Sequence, residues 1–445
     1  MRRTSSKDSR VRVVAACCVG LGLLVLPAAS EALPSPAQSL GSPAGPKQYE
    51  QSPDPAVQDL MDEFKLDRVQ AERQMATQAA ATEADTSLSD ELLSVFSGRR
   101  IFHGQGARVE VSTTDAMLAP AFREHYLRAG VPVDVVVAPR TRAQVEGLID
   151  QINHELQSER PKDDPGRVSA SESIPGLVTI TVADGVLLPG EQRVVDGAGD
   201  APKEYRIERV KVLEQAALTS CDYSPDISCD PPIRGSMRIA KDDAARTPSC
   251  TAGFNVRSRT DSKPYVLTAG HCRDTVDAYA RFANNVPHRI GPWHSAIWNS
   301  DTDVGIISVA NPSGWSFGWP MITIAPNQGQ DDDYVLNSVG DPVVGDRVCF
   351  TAGNGDLTLV GGTFDGGRTD CGTVDIRYDS AVYTDGLFRT KDVCLVGGDS
   401  GSPAFSYGVA YGVQSASNMY VGCTKAWSEQ ALEAQDQMNV NILTS

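Results

Sequence analysis

The sequence predicts an all-β C-terminal part preceded by a smaller α/β domain, and three observations support this prediction. The chain has 445 residues, whereas ordinary domains contain about 100–150 residues. Apolar residues at helical spacing are common in the first half and nearly absent afterwards until the end of the chain. From Cys221 onward, short β-rich runs alternate with Gly, Pro, Asn and Asp turns, which is typical of a β-sandwich or barrel.

The composition describes a globular protein with a sizeable core, because 41% of the residues are hydrophobic and 22% are charged. The formal net charge is -17, and the sequence lacks the cluster of Lys and Arg that phosphate binding requires. We therefore expect no nucleic-acid partner, and we interpret the acidity as a contribution to solubility.

The N-terminus has the pattern of an export signal. Five basic residues among the first twelve precede an apolar run over 13–26, and small residues follow at 28–30. An uncleaved anchor would need about 20 apolar residues. We therefore predict a signal peptide over residues 1–32, secretion to the extracellular medium, and no membrane contact after cleavage.

The cysteines divide the rest of the chain. Cys17 and Cys18 lie within the predicted signal, and the other eight lie between Cys221 and Cys423. This even number fits disulfides in an oxidising compartment, although the sequence alone leaves their connectivity open. We predict a flexible leader over 33–54, rich in Pro, Ser, Gly and Gln, an α/β region over 55–220 and a β-rich domain over 221–445.

The α/β region opens with a predicted helix, because Asp54 can cap it and Pro55 suits its first position. Apolar residues then recur at helical spacing, at Val57, Leu60, Met61 and Phe64. A second helical stretch continues through Val69 and Met75. The region therefore begins with two helices.

A strand and a further helix follow. Val133–Val137 is β-branched and predicts a strand, and Thr141 with Gln144 forms a capping box. The capped helix has one apolar face, formed by Val145, Leu148, Ile149, Ile152 and Leu156. A polar stretch over 158–173 predicts a loop, and an Asp-Gly pair at 184–185 predicts a hairpin between 177–182 and 186–188. In the β-rich domain, Trp427–Met438 predicts a terminal helix.

Three segments of the β-rich domain carry residue types that suit acyl transfer. They contain His271 in Thr-Ala-Gly-His-Cys, Asp303 before an apolar run, and Ser400 in Gly-Gly-Asp-Ser-Gly. A serine hydroxyl becomes nucleophilic when a neutral imidazole takes its proton, and a buried carboxylate fixes the tautomer of that imidazole. Gly398 lies two residues before Ser400, so the N–H groups of both can face one pocket as an oxyanion hole.

Each segment also has an interpretation without catalysis. A single histidine is usually a core or surface residue, Asp303 can be a turn residue, and Gly-Asp-Ser-Gly can be a loop. The conjunction favours a hydrolase, because the order is His, Asp, Ser, with a cysteine directly after the histidine and a glycine pair before the serine.

The region from Cys250 to Trp427 resembles the chymotrypsin-like serine proteases and is most similar to their bacterial alpha-lytic protease and streptogrisin branch. The motifs that carry the resemblance are Cys-Thr-Ala-Gly-Phe at 250–254, Thr-Ala-Gly-His-Cys at 268–272, and Arg-Thr-Lys-Asp-Val-Cys at 389–394 before Gly-Asp-Ser-Gly. The resemblance implies two packed six-stranded antiparallel β-barrels with the site between them, and a C-terminal helix fits the same arrangement.

The resemblance also implies roles for individual residues. His271 would be the general base, Asp303 its orienting carboxylate and Ser400 the nucleophile. Asp301 is a weaker alternative to Asp303, because it lacks the apolar run that directly follows Asp303. The disulfides implied by the family are Cys250–Cys272, Cys349–Cys371 and Cys394–Cys423, which leaves Cys221 and Cys229 as a fourth pair.

The substrate-binding strand of the family is matched by Ser415, Ala416 and Ser417, which would hydrogen-bond a peptide as an added β-strand. Relatives usually carry glycine at the position of Ser417, so its side chain is expected to narrow the pocket or change its polarity. Asp392 stands where trypsin-type enzymes hold the carboxylate that selects Lys or Arg. A wall or loop position is the alternative, because other residues shape the pocket in the bacterial branch.

The sequence departs from the family near the proposed nucleophile. Relatives usually carry an arginine directly after the cysteine matched by Cys349, where it pairs with the aspartate before the serine, but this chain has Phe350. A buried Asp399 then needs another partner, for which Arg347 or backbone amides would serve. Ser402 replaces the usual second glycine after the nucleophile and affects only fine specificity.

Relatives in this family carry large pro-regions that act as folding catalysts and inhibitors. The segment from Tyr49 to Leu218 has the position, size and α/β character for that role. We therefore expect the chain's own pro-region to act as its intramolecular chaperone and inhibitor. A permanently attached binding domain is the alternative, and a mature N-terminus near 200–235 would favour the pro-region.

Together, these patterns predict a secreted serine endopeptidase, made as a zymogen, that cleaves polypeptide substrates as a monomer through an acyl-enzyme at Ser400. We expect no metal or organic cofactor, and the other histidines show no metal-ligand spacing. One alternative is a catalytically inactive binding module with the protease fold, which the departures at Phe350 and Ser417 favour. Another is an esterase or lipase of a different fold, but the triad order there ends in histidine.

Overall fold

The computed structural model describes residues 54–104, 106–159, 167–201, 205–210, 233–240, 248–273, 276–281, 287–315, 317–327, 330–352, 369–381, 384–418 and 424–445. The predicted signal peptide, nearly all of the predicted leader, and Cys221, Cys229 and Cys423 lie outside these residues. Within these ranges, every α-helix is too short or too polar to cross a membrane.

The structure contains seven α-helices and 23 strands among the described residues. The α-helices are α1 (Pro55–Phe64), α2 (Arg68–Thr86), α3 (Asp90–Leu93), α4 (Ala119–Arg128), α5 (Arg142–Glu159), α6 (Pro189–Asp200) and α7 (Ala431–Met438). The strands of the α/β region are β1 (Phe96–Phe102), β2 (Arg108–Thr113), β3 (Val133–Val137), β4 (Val168–Ile174), β5 (Leu177–Ala183) and β6 (Tyr205–Val210). The first strands of the β-rich domain are β7 (Arg238–Ala240), β8 (Pro248–Thr251), β9 (Phe254–Ser258), β10 (Pro264–Thr268), β11 (Asp277–Arg281), β12 (Pro287–Trp298) and β13 (Asp303–Ser308). The remaining strands are β14 (Met321–Asn327), β15 (Gln330–Val335), β16 (Ser338–Val339), β17 (Arg347–Thr351), β18 (Thr369–Ala381), β19 (Thr384–Lys391), β20 (Pro403–Ser406), β21 (Val409–Ser417), β22 (Lys425–Gln430) and β23 (Val440–Ile442).

The α/β region forms the helices and the strand β3 that the sequence predicts. Asp54 caps α1, because its Oδ1 accepts two backbone N–H hydrogen bonds at 2.9 and 3.4 Å. Lys65 then adopts a left-handed φ of 55°, which ends α1 and makes α2 a separate helix. Thr141 Oγ1 accepts from the N–H of Gln144, and Gln144 Oε1 accepts from the N–H of Thr141, so the capping box of α5 is confirmed.

The predicted hairpin after this helix is wrong. The hairpin forms between β4 and β5, whereas 186–188 leads into α6 and Val186 is 92% exposed. The residues of β4 are mostly polar, and for this reason the sequence predicts a loop there. Glu172 of β4 is nevertheless buried, because it lies opposite Tyr378 of β18 and Arg377 binds it at 3.2 Å. The tertiary pairing overrides the local pattern.

The first half of the β-rich domain is an eight-stranded sheet in the order β23-β9-β10-β13-β12-β11-β7-β8. Side chains alternate between its two faces, as they must in a strand. Leu267 of β10 joins the core that also holds Phe254 and Val304. Its neighbour Val266 joins a second core with Ile307. Both faces of this sheet are therefore buried at β10 and β13.

The second half of the β-rich domain closes into a six-stranded barrel, and we call it the second barrel. Its strands pair in the order β17-β20-β21-β22-β19-β18, and β18 pairs back with β17. The barrel interior contains side chains that are fully buried, namely Val348, Phe350, Val374, Phe388 and Tyr411. The predicted all-β fold is confirmed, with one difference. The first half, expected as another six-stranded barrel, is an eight-stranded sheet whose end strands β23 and β8 do not pair with one another among the described residues.

The C-terminal helix begins later than the sequence predicts. Trp427 lies in β22, opposite Arg389 of β19 and Ala416 of β21. The helix α7 starts at Ala431. Trp427 is only 1% exposed, since two strands flank it, and this pairing extends β22 into the stretch where the apolar spacing predicts a helix.

The α/β region packs directly on the second barrel. Gln78 of α2 is buried and binds the backbone of Arg347, donating to its carbonyl at 3.0 Å and accepting from its N–H at 2.8 Å. The Arg347 side chain is 3% exposed and forms ion pairs with Asp59 and Glu63 of α1. Because a buried charge is costly without partners, α1 and the barrel depend on one another at this contact.

The placement of β9 in the core can be tested with a matched pair of valines. Val256 is fully buried, whereas Val276 is 80% exposed. We predict that Val256→Ala lowers the free energy of unfolding by about 2 kcal/mol, because it removes buried methyl groups and leaves a cavity. Val276→Ala should change it by less than about 0.5 kcal/mol. Urea denaturation of the full chain measures both, and equal effects would contradict the assignment.

Candidate active site

Strand pairing in the first sheet brings His271 to Asp303. Strand β10 pairs with β13 in antiparallel register, with Thr268 opposite Gly305. The turn after β10 therefore lies beside the start of β13. His271 Nδ1 lies 2.6 Å from Asp303 Oδ2, and the His271 backbone N–H donates to Oδ1 at 2.8 Å. One carboxylate thus fixes both the ring and the backbone of the histidine.

Asp303 is fully buried, and both halves of the β-rich domain satisfy it. Its side chain is 0% exposed, and Ser415 Oγ of the second barrel donates to Oδ2 at 2.6 Å. The side chain therefore accepts three hydrogen bonds, two from His271 and one from Ser415. Three donors compensate a buried carboxylate for the water that it loses. Such a carboxylate can orient an imidazole and stabilise its charged form.

Ser400 lies on a turn that the first sheet holds in place. The Thr251 N–H donates to the Ser400 carbonyl at 2.7 Å, and Thr251 Oγ1 donates to the Gly398 carbonyl at 2.8 Å. The adjacent Cys250 forms a disulfide with Cys272 in the turn that carries the histidine. The turns that carry the histidine and the serine, which are far apart in the sequence, are therefore both joined to β8, and Cys272 Sγ lies 3.8 Å from the Ser400 carbonyl oxygen.

The backbone around the serine requires glycine. Gly398 has a φ of 95° and Gly401 a φ of 92°, values that residues with a Cβ rarely adopt. A Cβ on Gly401 would also lie 2.0 Å from Thr268 Oγ1. Among the described residues, the N–H groups of Gly398 and Ser400 have no hydrogen-bond acceptor. Both donors are therefore available for an oxyanion.

The Ser400 hydroxyl points toward the second barrel. Its Oγ donates to the Ser415 carbonyl at 3.5 Å, which is the long limit of a hydrogen bond. In the described parts of the chain, no hydrogen bond joins this hydroxyl to His271. Catalytic hydrogen bonds are often long or poorly aligned before substrate binds, and rotation about the Cα–Cβ bond of Ser400 redirects the hydroxyl.

Strand β21 leaves one edge open beside the serine. On one side, Ala416 and Ser417 pair with Trp427 and Ala426 of β22. On the other side, the pairing with β20 ends at Val413, and no other described strand covers residues 415–417. An extended peptide can therefore add to this edge as a further strand.

Asp301 and Asp392 are both exposed at the surface. Asp301 is exposed in the turn between β12 and β13, where its N–H donates to the Asn299 side chain at 2.8 Å. The side chain of Asp392 is 66% exposed and lies 3.7 Å from Lys391 Nζ. The structure therefore places Asp303 rather than Asp301 at the imidazole, and the exposure of Asp392 favours a loop position over a pocket carboxylate.

Two disulfides implied by the family resemblance are present, Cys250–Cys272 and Cys349–Cys371. Cys394 is also disulfide-bonded, and its expected partner lies outside the described residues. The potential ligand atoms of Cys250, Cys272 and His271 lie within 4.8 Å of one another. Both sulfur atoms belong to a disulfide, so they offer no thiolate to a metal ion.

The departures near the serine are accommodated by packing and backbone contacts. Phe350 is fully buried in the second barrel. Asp399 Oδ2 accepts a hydrogen bond from the Val396 N–H at 2.7 Å, so a backbone amide serves this carboxylate. Arg347, the other expected partner, is directed to Asp59 instead. The ion pair of the relatives is therefore not rebuilt with Arg347.

Sequence reasoning missed two residues that support the site. Thr251 binds two carbonyl groups of the serine turn, and its signal in the sequence is its place in the Cys-Thr-Ala-Gly-Phe motif at 250–254. Glu429 accepts a hydrogen bond from the Asp303 N–H at 3.0 Å. It lies within the stretch predicted as a helix, where a glutamate is ordinary, so the local sequence gives no signal for it.

No family model matches the chain. Serine protease 1 of Streptomyces fradiae is 28% identical over 198 residues, which are 43% of this chain and 48% of the relative. Streptogrisin-D of Streptomyces griseus is 25% identical over 279 residues, which are 60% of each chain. The chain resembles bacterial serine proteases of the streptogrisin type.

The streptogrisin-like chain spans 48% and 60% of the length of these two curated relatives. Among solved structures, Protease A of Thermobifida fusca is 19% identical, with a TM-score of 0.36, over 48% of this chain and 99% of that one.

Two serines on β21 allow a test of the contact with the buried aspartate. We predict that Ser415→Ala lowers the free energy of unfolding by about 1.5–3 kcal/mol, because it removes a hydrogen bond to a buried carboxylate. Ser417→Ala should cost less than about 0.5 kcal/mol, since its hydroxyl is buried without a hydrogen-bond partner among the described residues. Urea denaturation measures both values. Equal losses would show that the Ser415 hydroxyl adds no stability through Asp303.

Proposed function

We propose that this chain is a secreted serine endopeptidase, made as a zymogen, that hydrolyses peptide bonds through an acyl-enzyme at Ser400. The observation that carries the proposal is the 2.6 Å contact between His271 Nδ1 and Asp303 Oδ2, beside the turn that presents Ser400. A buried carboxylate there orients an imidazole next to a serine, which is the arrangement that acyl transfer requires. The similarity to serine protease 1 and streptogrisin-D supports this reaction class.

In the proposed reaction, the Ser400 hydroxyl rotates toward His271 Nε2 and loses its proton to the imidazole as Oγ attacks the substrate carbonyl. Asp303 stabilises the imidazolium that forms, since it accepts the Nδ1–H. The N–H groups of Gly398 and Ser400 then hold the negative oxygen of the tetrahedral intermediate. His271 returns its proton to the leaving amine, and water hydrolyses the acyl-enzyme by the same steps.

The open edge at Ser415, Ala416 and Ser417 is the proposed binding strand for polypeptide substrates. A peptide added there would run beside Ser400, since the Ser400 hydroxyl already lies against the Ser415 carbonyl. Backbone hydrogen bonds would supply affinity that is independent of the substrate sequence. Specificity would then depend on the neighbouring pocket, where Ser417 is buried at 1% exposure.

The proposed reaction predicts covalent labelling of one serine. A fluorophosphonate should label the mature protein, and Ser400→Ala should abolish the label and lower kcat for peptide hydrolysis by at least about 10⁴-fold. Ser402→Ala is the matched control, because this serine is also buried and lies two residues away, and it should keep the label. Mass spectrometry of labelled peptides measures the outcome. A wild-type protein that takes no label would favour the inactive binding module.

We also propose that residues 55–220 are the pro-region, which assists folding and inhibits the mature enzyme. Its support is the buried contact with the second barrel, where Arg347 is bound by Asp59 and Glu63 and Gln78 holds its backbone. A region joined to the barrel through buried charges would order the barrel strands as they fold. Secretion of the chain is proposed from its N-terminal pattern alone.

The pro-region proposal predicts an effect of two acidic residues. Asp59→Asn combined with Glu63→Gln removes both carboxylates from the buried Arg347, so inhibition by the N-terminal region should weaken by at least about 10-fold. Glu72→Gln is the control, because its pair with Arg68 is exposed and contributes little. Peptide hydrolysis during maturation measures inhibition, and mass spectrometry should find a mature N-terminus near 200–235. A mature chain that retains residues 55–220 would contradict the proposal.

A further inference from the structure

Glu429 is a buried carboxyl group beside Asp303 that the proposed mechanism does not use. It lies in β22 opposite Val413 of β21 and is 0% exposed. Its Oε2 accepts a hydrogen bond from the backbone N–H of Asp303 at 3.0 Å. The second barrel therefore contacts the aspartate twice, through Ser415 at the side chain and through Glu429 at the backbone.

The two neighbouring carboxyl groups differ in the charge that their surroundings favour. Asp303 accepts hydrogen bonds from His271 and Ser415 on its carboxylate oxygens. Burial raises the pKa of Glu429 well above its usual range, and the charge of Glu433 raises this pKa further. The hydrogen bond from the Asp303 N–H acts in the opposite direction and lowers the pKa. Two adjacent buried carboxylates cannot both ionise at moderate cost. The surroundings of Glu429 therefore favour its neutral form.

The groups around Glu433 keep this arrangement in place. Burial raises the pKa of Glu433 to about 7, and the charges of Glu146, Asp341 and Asp150 act in the same direction, whereas Arg377 opposes them. When Glu433 ionises above about pH 7, its negative charge further disfavours ionisation of Glu429. Below that pH, Glu433 adds no charge to the pair.

We propose that Glu429 is a positioning residue, whose neutral carboxyl group fixes the backbone of Asp303 and so aims the Asp303 carboxylate at His271. It acts through Asp303 and touches no reacting atom. A neutral acceptor is required because a second anion at this place would oppose the charge of Asp303. The inference rests on the proposed function of Ser400.

Two substitutions separate this role from simple packing. Glu429→Gln keeps a neutral oxygen acceptor, so kcat at pH 7 should stay within about 3-fold of the wild type. Glu429→Leu leaves the Asp303 N–H buried without an acceptor, so kcat should fall by about 10–100-fold while KM changes by less than about 3-fold. Active-site titration with a fluorophosphonate counts the folded, competent molecules, so that kcat is expressed per site.

A second readout does not depend on activity. In the Ser400→Ala background, the proton on His271 Nδ1 should give a downfield NMR signal, because it lies in a short hydrogen bond to a carboxylate. Glu429→Gln should retain this signal, and Glu429→Leu should shift or broaden it. If the leucine variant does not fold, Glu429→Gln still tests the proposal. At alkaline pH, ionisation of Glu429 should lower the kcat of the wild type, whereas the kcat of Glu429→Gln should stay constant.

Several outcomes would overturn the inference. A leucine variant with wild-type kcat and an unchanged Nδ1 proton signal would show that the acceptor does not position Asp303. A glutamine variant as impaired as the leucine variant would show that neutrality is not the relevant property. If kcat depends on alkaline pH identically in the wild type and in Glu429→Gln, the neutrality of the side chain is again not the relevant property. A wild-type protein without label or activity would instead remove the proposed function, and the NMR comparison would still decide the positioning role.

Discussion

The buried carboxylate of Asp303 is the constraint on which the rest of the structure depends. A charge with no access to water is tolerated only when enough donors surround it. The donors come from His271 in the first sheet and Ser415 in the second barrel, while Glu429 holds the aspartate backbone. The two β units therefore have to meet at this residue. A shift between them would leave a buried charge without its partners.

The serine turn depends on the same junction. Thr251 binds the carbonyl groups of Gly398 and Ser400, and the disulfide from Cys250 links that strand to the histidine turn. Gly398 and Gly401 have left-handed φ values, which a residue with a Cβ would adopt only at a cost in conformational free energy. The proposed nucleophile is thus held by the first sheet although it belongs to the second barrel, which couples the geometry of the site to the packing of both.

The same logic explains how the chain manages without the arginine that relatives place near the nucleophile. Phe350 fills the barrel interior at that position, and the Val396 N–H serves Asp399. Arg347, three residues before Phe350, is directed to Asp59 and Glu63 of α1. A charge that could have served the serine turn instead joins the α/β region to the barrel, which agrees with the proposed role of that region.

Much of the fold could be predicted from the sequence because it rests on short-range rules. The cap at Asp54, the capping box at Thr141 and the strand Val133–Val137 depend on neighbours within a few residues. The hairpin of β4 and the start of α7 could not be predicted in this way. Glu172 and Trp427 are placed by pairing with β18, β19 and β21, and those partners lie far away along the chain.

For the site, the sequence by itself determined which residue types are present and in which order, and its motifs predict His271, Asp303 and Ser400 as the reacting residues. Only the tertiary structure decided that the Asp303 carboxyl group contacts the histidine and that Glu429 contacts the Asp303 backbone. Strand pairing and burial set these contacts, and both are properties of the packed junction. For that reason Glu429, an ordinary residue in the sequence, becomes the hydrogen-bond acceptor of the Asp303 N–H.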